Sequence, residues 1–383
     1  MERMSWHEAC ARRLVRHSLT KPSSEGGIAA VVSDVCGIHA QVMSAAEVSI
    51  GLRVAKVSRV DVRNALWESR ELVKTFGPRG TVHLLATADL PMWIGAVNAI
   101  PPQPPRLAVS ARMTPDQLDE VVGVIGHAVR DAELTVDEFD ERVIAETGPW
   151  AGDLVVPGFT GMWPRWRTAL QVAANRGVLC FGPDNARRTT YTSPARWLPG
   201  FTPMPAEDAV ARLVLKYLRA YGPATPQQFA QWLTAPKKWA SEVFAALGDR
   251  LRPVELDGVR AWLAADDDLE VGKRPRGLRL LPYFDVYVIG SYPREAVFPG
   301  RAFERALSRG QAGPVPVVLI DGVVAGVWHQ KRSGKRIDVK VEPFRALSVK
   351  HRTELDRQVT RAADVQEGVA SLEIGTVDAG KHL

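Results

Sequence analysis

The chain has 383 residues, room for two or three ordinary domains with cores of their own. Its composition, 46% hydrophobic, 24% charged and 7% aromatic, excludes fibrous, collagen-like and wholly disordered classes. Lys and Arg total 49 against 43 Asp and Glu, a mildly basic net charge of +6. No stretch approaches the roughly 18 uninterrupted apolar residues of a membrane span, so no membrane partner is expected. Residues 1–10 lack the apolar centre of a secretory signal. Cys10, Cys36 and Cys180 stand singly without C-x-x-C spacing, which argues against a disulfide framework or a zinc site and for a reducing, cytoplasmic compartment.

The elements recur as helices followed by a hairpin. Glu25 to Cys36 reads as a helix stopped by Gly37, and Ser44-Ala45-Ala46-Glu47 has the spacing of a capping box opening a helix to about Ala55. Asp61 to Ser69 is a third helix. Leu72 to Phe76 and Thr81 to Leu85 are strands around the turn Gly77-Pro78-Arg79-Gly80. The pattern repeats with helices at Glu133 to Glu146 and Trp166 to Arg176, the second stopped by Gly177. Strands Val178 to Phe181 and Thr189 to Thr192 flank Gly182-Pro183-Asp184-Asn185. A third copy has a long amphipathic helix, Glu207 to Tyr221, and a capped start at Thr225-Pro226-Gln227-Gln228. After a helix around Trp239 to Leu247, strands Leu251 to Leu256 and Val259 to Leu263 join through Asp257-Gly258.

Three helices and a two-stranded wing describe a winged-helix module. The expected fold is therefore α+β: tandem winged-helix modules at 1–105, 106–200 and 201–270, then a small β-rich C-terminal domain at 271–370 and a frayed tail at 371–383. Strands in the C-terminal part are expected at Leu278 to Leu281, Val286 to Ile289, Val315 to Ile320, Val323 to Trp328 and Ile337 to Val341. The eleven tryptophans sit mostly in apolar helix faces and read as core.

Charge is unevenly spread. Residues 101–150 carry 4 basic and 10 acidic side chains, whereas 327–352 carry 8 basic and 2 acidic. The basic zone reads either as a face for a polyanion or as a solvated hairpin. Within it, Lys331, Arg332, Lys335 and Arg336 crowd into one hairpin, a placement suited to phosphate contact. The familiar catalytic signatures are missing: no phosphate loop, Rossmann fingerprint, H-E-x-x-H or G-x-S-x-G occurs. What stands out is Gly37-Ile38-His39-Ala40-Gln41-Val42-Met43, a non-helical stretch just ahead of a helix N-terminus. If extended, it projects His39 and Gln41 to one side, near a dipole that favours anions. The same spacing equally suits a buried polar pair satisfying backbone groups.

Residues 35–53, with Arg79-Gly80-Thr81-Val82-His83-Leu84, resemble the AlkZ/YcaQ family of winged-helix DNA glycosylases. So do Leu281-Pro282-Tyr283-Phe284-Asp285 and Val341-Glu342-Pro343-Phe344, and the similarity runs from about Glu8 to Val369. The resemblance implies a monofunctional DNA glycosylase that hydrolyses the N-glycosidic bond of bulky alkylated purines, N7-alkylguanine adducts above all. Its role would be base excision repair or self-resistance to a DNA-alkylating natural product. The implied partner is double-stranded DNA carrying alkylated guanine; a monomer without cofactor or metal is expected. The family's catalytic motif is two glutamines around an aliphatic residue, or a glutamine and an aspartate. Gln41 matches the second position and His39 replaces the first. Gln41 would then hold the hydrolytic water against a sugar of oxocarbenium character, with His39 as a general base. Arg79, Thr81, His83 and Asp285 join the hairpin cations as candidate DNA-binding residues, although a solvated arginine, a structural histidine and a structural aspartate are the competing readings. A non-enzymatic winged-helix DNA-binding protein or regulator is the alternative from another class.

Overall fold

A computed structural model of the chain describes residues 1–103, 107–158, 161–186, 188–270, 272 and 274–378. The fold is mixed α+β, and contacts divide the chain into one unit of Met1–Ala65 with Ala211–Leu383 and another of Leu66–Val210.

In the second unit, two helices begin where the sequence supplies reciprocal caps. Pro115–Val129 is capped by Thr114 with Gln117, and Val136–Thr147 by Thr135 with Glu138. Their apolar faces close with Trp166, Phe181 and Tyr191 into one core, in which the Trp166 indole donates to Asp140 (2.6 Å). The expected helix from Trp166 starts as a 3-10 turn, Arg165–Ala169, before the α-helix Leu170–Asn175, and Gly177 follows at φ 76°. Leu72–Phe76 and Val82–Ala86 form the expected hairpin. Its turn places Arg79 at φ 63° and Gly80 at φ 67°, so its second left-handed residue is a glycine.

In the first unit, Trp6–Arg16 starts from a Ser5–Glu8 capping box and Pro226–Leu233 from the expected Thr225–Gln228 box. Leu251–Leu256 and Val259–Ala264 pair around Asp257 and Gly258, whose φ values of 44° and 82° suit a tight hairpin turn; Glu2–Met4 adds a parallel edge. The C-terminal sheet has five strands in chain order: Leu278–Leu281, Val317–Ile320, Val323–Ser333, Arg336–Pro343 and Val369–Ile374. Period-two alternation sorts its side chains. Val317 and Leu319 enter a core with Tyr287, Phe298 and Ala302, while Val318 and Ile320 enter another with Leu355, Val359 and Ala363. Both faces are thus covered, which is why Val317–Ile320 is a continuous apolar run.

Four sequence expectations need correction. The helix around Ser44 runs from Met43 to Arg53 with Val42 as an N-cap that offers no side-chain bond; Ser44 lies inside it, and Glu47 turns to Arg63 instead (2.7 Å). Val286 to Ile289 is not a strand but the helix Val286–Gly290. Asp285 caps it by accepting the Tyr287 N–H (3.0 Å), and burial on every side erases any periodicity. The β-rich C-terminal part also contains a 17-residue helix, Val349–Val365. The region after Val369 is not frayed at its start: it forms a strand parallel to Arg336–Pro343, and the Val377 N–H then donates to Glu342 (3.0 Å). Residues 379–383 of the expected tail lie outside the described residues.

Candidate active site

The segment singled out in the sequence is delivered by a turn. The helix Gly27–Asp34 ends with Cys36 at φ 61° and Gly37 at φ 92°, and the Gly37 N–H reaches back to the Val32 carbonyl (2.8 Å). Ile38 and His39 are extended, and the chain bends at Gln41 and Val42 before the helix Met43–Arg53. Strict alternation is therefore broken. Ile38, His39 and Ala40 are all buried, His39 with 4% of its surface exposed, whereas Gln41 is exposed. His39 and Gln41 do not present one common polar face.

His39 lies against the Phe284 ring, with centroids 4.7 Å apart and planes 22° from parallel. Phe284 is held at φ 55°, its N–H donating to the Gly313 carbonyl (2.9 Å). The next residue, Asp285, fixes this loop to the helix Met43–Arg53. Its carboxylate accepts both terminal nitrogens of Arg53 (2.8 Å each), the Ser49 hydroxyl (2.7 Å) and the Tyr287 N–H (3.0 Å). Burial opposes the charge on Asp285, but the Arg53 guanidinium and these hydrogen bonds outweigh it and hold the carboxyl below the ordinary carboxylate range. With both side chains 0% exposed, the Arg53–Asp285 pair anchors this loop to the helix. Ser49 and Arg53 were missed in the sequence; their i, i+4 spacing on one helix was the available signal.

Beside this anchor, the first turns of the helix Met43–Arg53 border a cavity of about 210 Å³. Val42, Ala45 and Val48 form one wall, Pro282 and Tyr283 another, and Pro316 and Trp328 a third, with Ser44 and Gln330 as the polar lining. The Gln330 and Gln366 amides exchange hydrogen bonds (2.9 and 3.0 Å), which fixes that corner. Tyr283 Oη approaches His329 Nδ1 at 3.4 Å, and burial raises the phenol's pKa and lowers that of the imidazole. Directly after Gln330 the strand emerges as the basic hairpin. Lys331, Arg332, Lys335 and Arg336 are all exposed around Gly334, with Arg336 paired to Asp338 (2.8 Å). On the same helix as the cavity wall, Glu47 is 2% exposed, and burial raises its carboxyl pKa despite the opposing pull of Arg63, Arg59 and Arg332.

Arg79, Thr81 and His83 belong to the other unit. Arg79 is half-buried in its turn and Thr81 Oγ1 donates to the Pro78 carbonyl (3.1 Å). His83 is 1% exposed, and its Nδ1–H donates to the Thr81 carbonyl (2.8 Å). Among the described residues no group of three or more His, Cys, Asp or Glu is arranged to hold a metal ion, and the three cysteines are buried and form no disulfide. No helix among the described residues is long and apolar enough to cross a membrane.

An exposed amide at an unsupported helix start, beside a small apolar cavity and a cationic hairpin, is a set of parts suited to hydrolysis on a polyanion. Known proteins define the class as DNA glycosylase. The solved structure of the Streptomyces sahachiroi DNA glycosylase AlkZ is similar with a TM-score of 0.82 at 28% identity, covering 97% of this chain and 100% of that one. The interstrand DNA cross-link repair glycosylase of Streptomyces sahachiroi is 33% identical over 341 residues, 85% of this chain and 88% of that protein. The AlkZ-like DNA glycosylase family model matches residues 32–365, and the chain belongs to that family of enzymes that hydrolyse N-glycosyl bonds.

Proposed function

We propose that this glycosylase excises bulky N7-alkylguanine from double-stranded DNA, in repair or in self-resistance to a DNA-alkylating natural product, as a cytoplasmic monomer built on winged-helix modules at 1–105, 106–200 and 201–270, with a C-terminal domain from 271. Exposed Gln41, at the start of a helix whose N-cap offers no side-chain bond, carries this reading. Alkylation at N7 makes the base cationic, so the bond pair of N9–C1′ passes to the base and neutralises it without a strong acid. Water adds at C1′ and its proton leaves to solvent. Gln41 is the catalytic residue: its amide oxygen accepts a hydrogen bond from that water and turns a dipole toward the sugar's developing positive charge. His39 is a positioning residue. Its 4% exposure does not suit the general-base role expected from the sequence, but its stack on Phe284 supports a fixed path into Gln41. The cationic hairpin supplies phosphate contacts, and the cross-link repair activity named for the Streptomyces sahachiroi relative supports a bulky lesion.

The test is incubation of the protein with a duplex carrying one N7-alkylguanine, followed by alkali. Cleavage at the lesion, persisting in EDTA, is the expected result. Intact strands with bound DNA would leave the chain a binding protein for this lesion and overturn the reading.

A further inference from the structure

Resting on that reading of the site, we infer that the cavity beside Gln41 is a specificity pocket for the apolar substituent on the alkylated base, aryl-bearing groups in particular. Three observations converge. The cavity is walled by Val42, Ala45, Pro282, Tyr283 and Trp328, so its surface is that of a hydrophobic binding site with few polar groups. Its volume, about 210 Å³, exceeds the roughly 150 Å³ that suffices for a benzene ring in a protein interior, but is small for a drug-sized ligand. It is also bracketed by the two parts of the site that meet DNA. Val42 follows Gln41 directly, and the strand carrying Trp328 and Gln330 runs straight into Lys331 and Arg332. A duplex held at the hairpin with its lesion at Gln41 places the group on N7 at the cavity's edge. The wall is built to keep its shape: Trp328 Nε1–H is tied to the Leu281 carbonyl (2.8 Å), and the Asp285 anchor fixes the loop that carries Tyr283. The pocket selects by size and apolarity, since a methyl group leaves it empty and an arylmethyl group fills it.

The experiment measures one ratio: single-turnover excision of N7-benzylguanine over N7-methylguanine in the same duplex. Ala45→Leu narrows the pocket and Tyr283→Ala opens a wall. Because misfolded molecules slow both substrates equally, the ratio is insensitive to loss of active protein. The native ratio should favour benzyl, and Ala45→Leu should lower it about tenfold, within the range that methylene-sized changes in apolar pockets command. A ratio that stays within twofold of native in both variants overturns the pocket. If the protein excises neither base, the N7-alkylguanine reading fails separately. The same ratio then comes from equilibrium affinities for the two duplexes by fluorescence anisotropy, and the same two outcomes decide the pocket.

Discussion

The Arg53–Asp285 pair offers a quantitative test of how the site is held. Both side chains are 0% exposed, and Asp285 accepts two bonds from Arg53 at 2.8 Å plus one from Ser49 at 2.7 Å. Asp285→Asn keeps the size and the cap on Tyr287 but leaves a buried guanidinium uncompensated, with its Nε already lacking a partner. Removing one member of such a pair costs about 3–5 kcal/mol, and Arg53→Met should cost a similar amount by stranding the carboxylate. In Arg53→Met/Asp285→Asn both charges are gone, leaving a penalty nearer 1–3 kcal/mol for unsatisfied polar groups. The two single costs summed should therefore exceed the cost of the double by at least about 3 kcal/mol. Hydrogen exchange in a peptide spanning 278–290 reads this locally, so that unfolding in the other unit does not enter. Additivity within about 0.5 kcal/mol would refute the claim that one ion pair ties the Phe284 loop to the helix behind Gln41.

Two further predictions concern charge. Replacing Lys331, Arg332, Lys335 and Arg336 by Gln should flatten the salt dependence of DNA affinity by up to about four counterions; an unchanged slope would remove the hairpin from the DNA interface. His17 is wholly buried with its Nε2–H on the Ala220 carbonyl (3.2 Å), and burial, aided by Arg53, lowers its pKa to about 3. It is neutral in the folded chain while the unfolded chain takes up a proton below about 6.5, so stability is unaffected above that pH and falls below it, by about 2 kcal/mol at pH 5. His17→Gln should flatten that decline in a pH series of urea midpoints, and an equal slope in both proteins would contradict the assignment.

What was legible in the sequence is what short-range chemistry decides. Thr225-Pro226-Gln227-Gln228 caps its helix because hydroxyl, proline and amide act within four residues, and Asp257-Gly258 closes a hairpin because its backbone needs positive φ. The same rules fail where tertiary contacts compete. Ser44 and Glu47 have capping-box spacing, yet the helix begins at Met43, Ser44 borders the cavity and Glu47 is taken by Arg63. Val286 to Ile289 has strand composition but buries every side, so Asp285 decides for helix. At the site, the segment from Ile38 was legible as non-helical because Gly37 breaks the preceding helix. That His39 would be buried was not, because Phe284 comes from 245 positions further along, and the Arg53–Asp285 bond spans 232. The family resemblance supplied the weight on Gln41 that spacing alone did not.

The central claim is that Gln41 performs the hydrolysis while His39 positions it, and single-turnover excision of N7-alkylguanine by variants with confirmed folding and DNA affinity tests it directly. Gln41→Ala should lose about 10²–10³ in rate with binding intact, the usual cost of one preorganised electrostatic group. His39→Ala should fall steeply, whereas His39→Phe, which keeps a ring against Phe284, should recover most of the rate and follow the native pH profile. Full activity in Gln41→Ala would contradict the account, and a His39→Phe variant as inactive as His39→Ala would show that the imidazole itself does the chemistry.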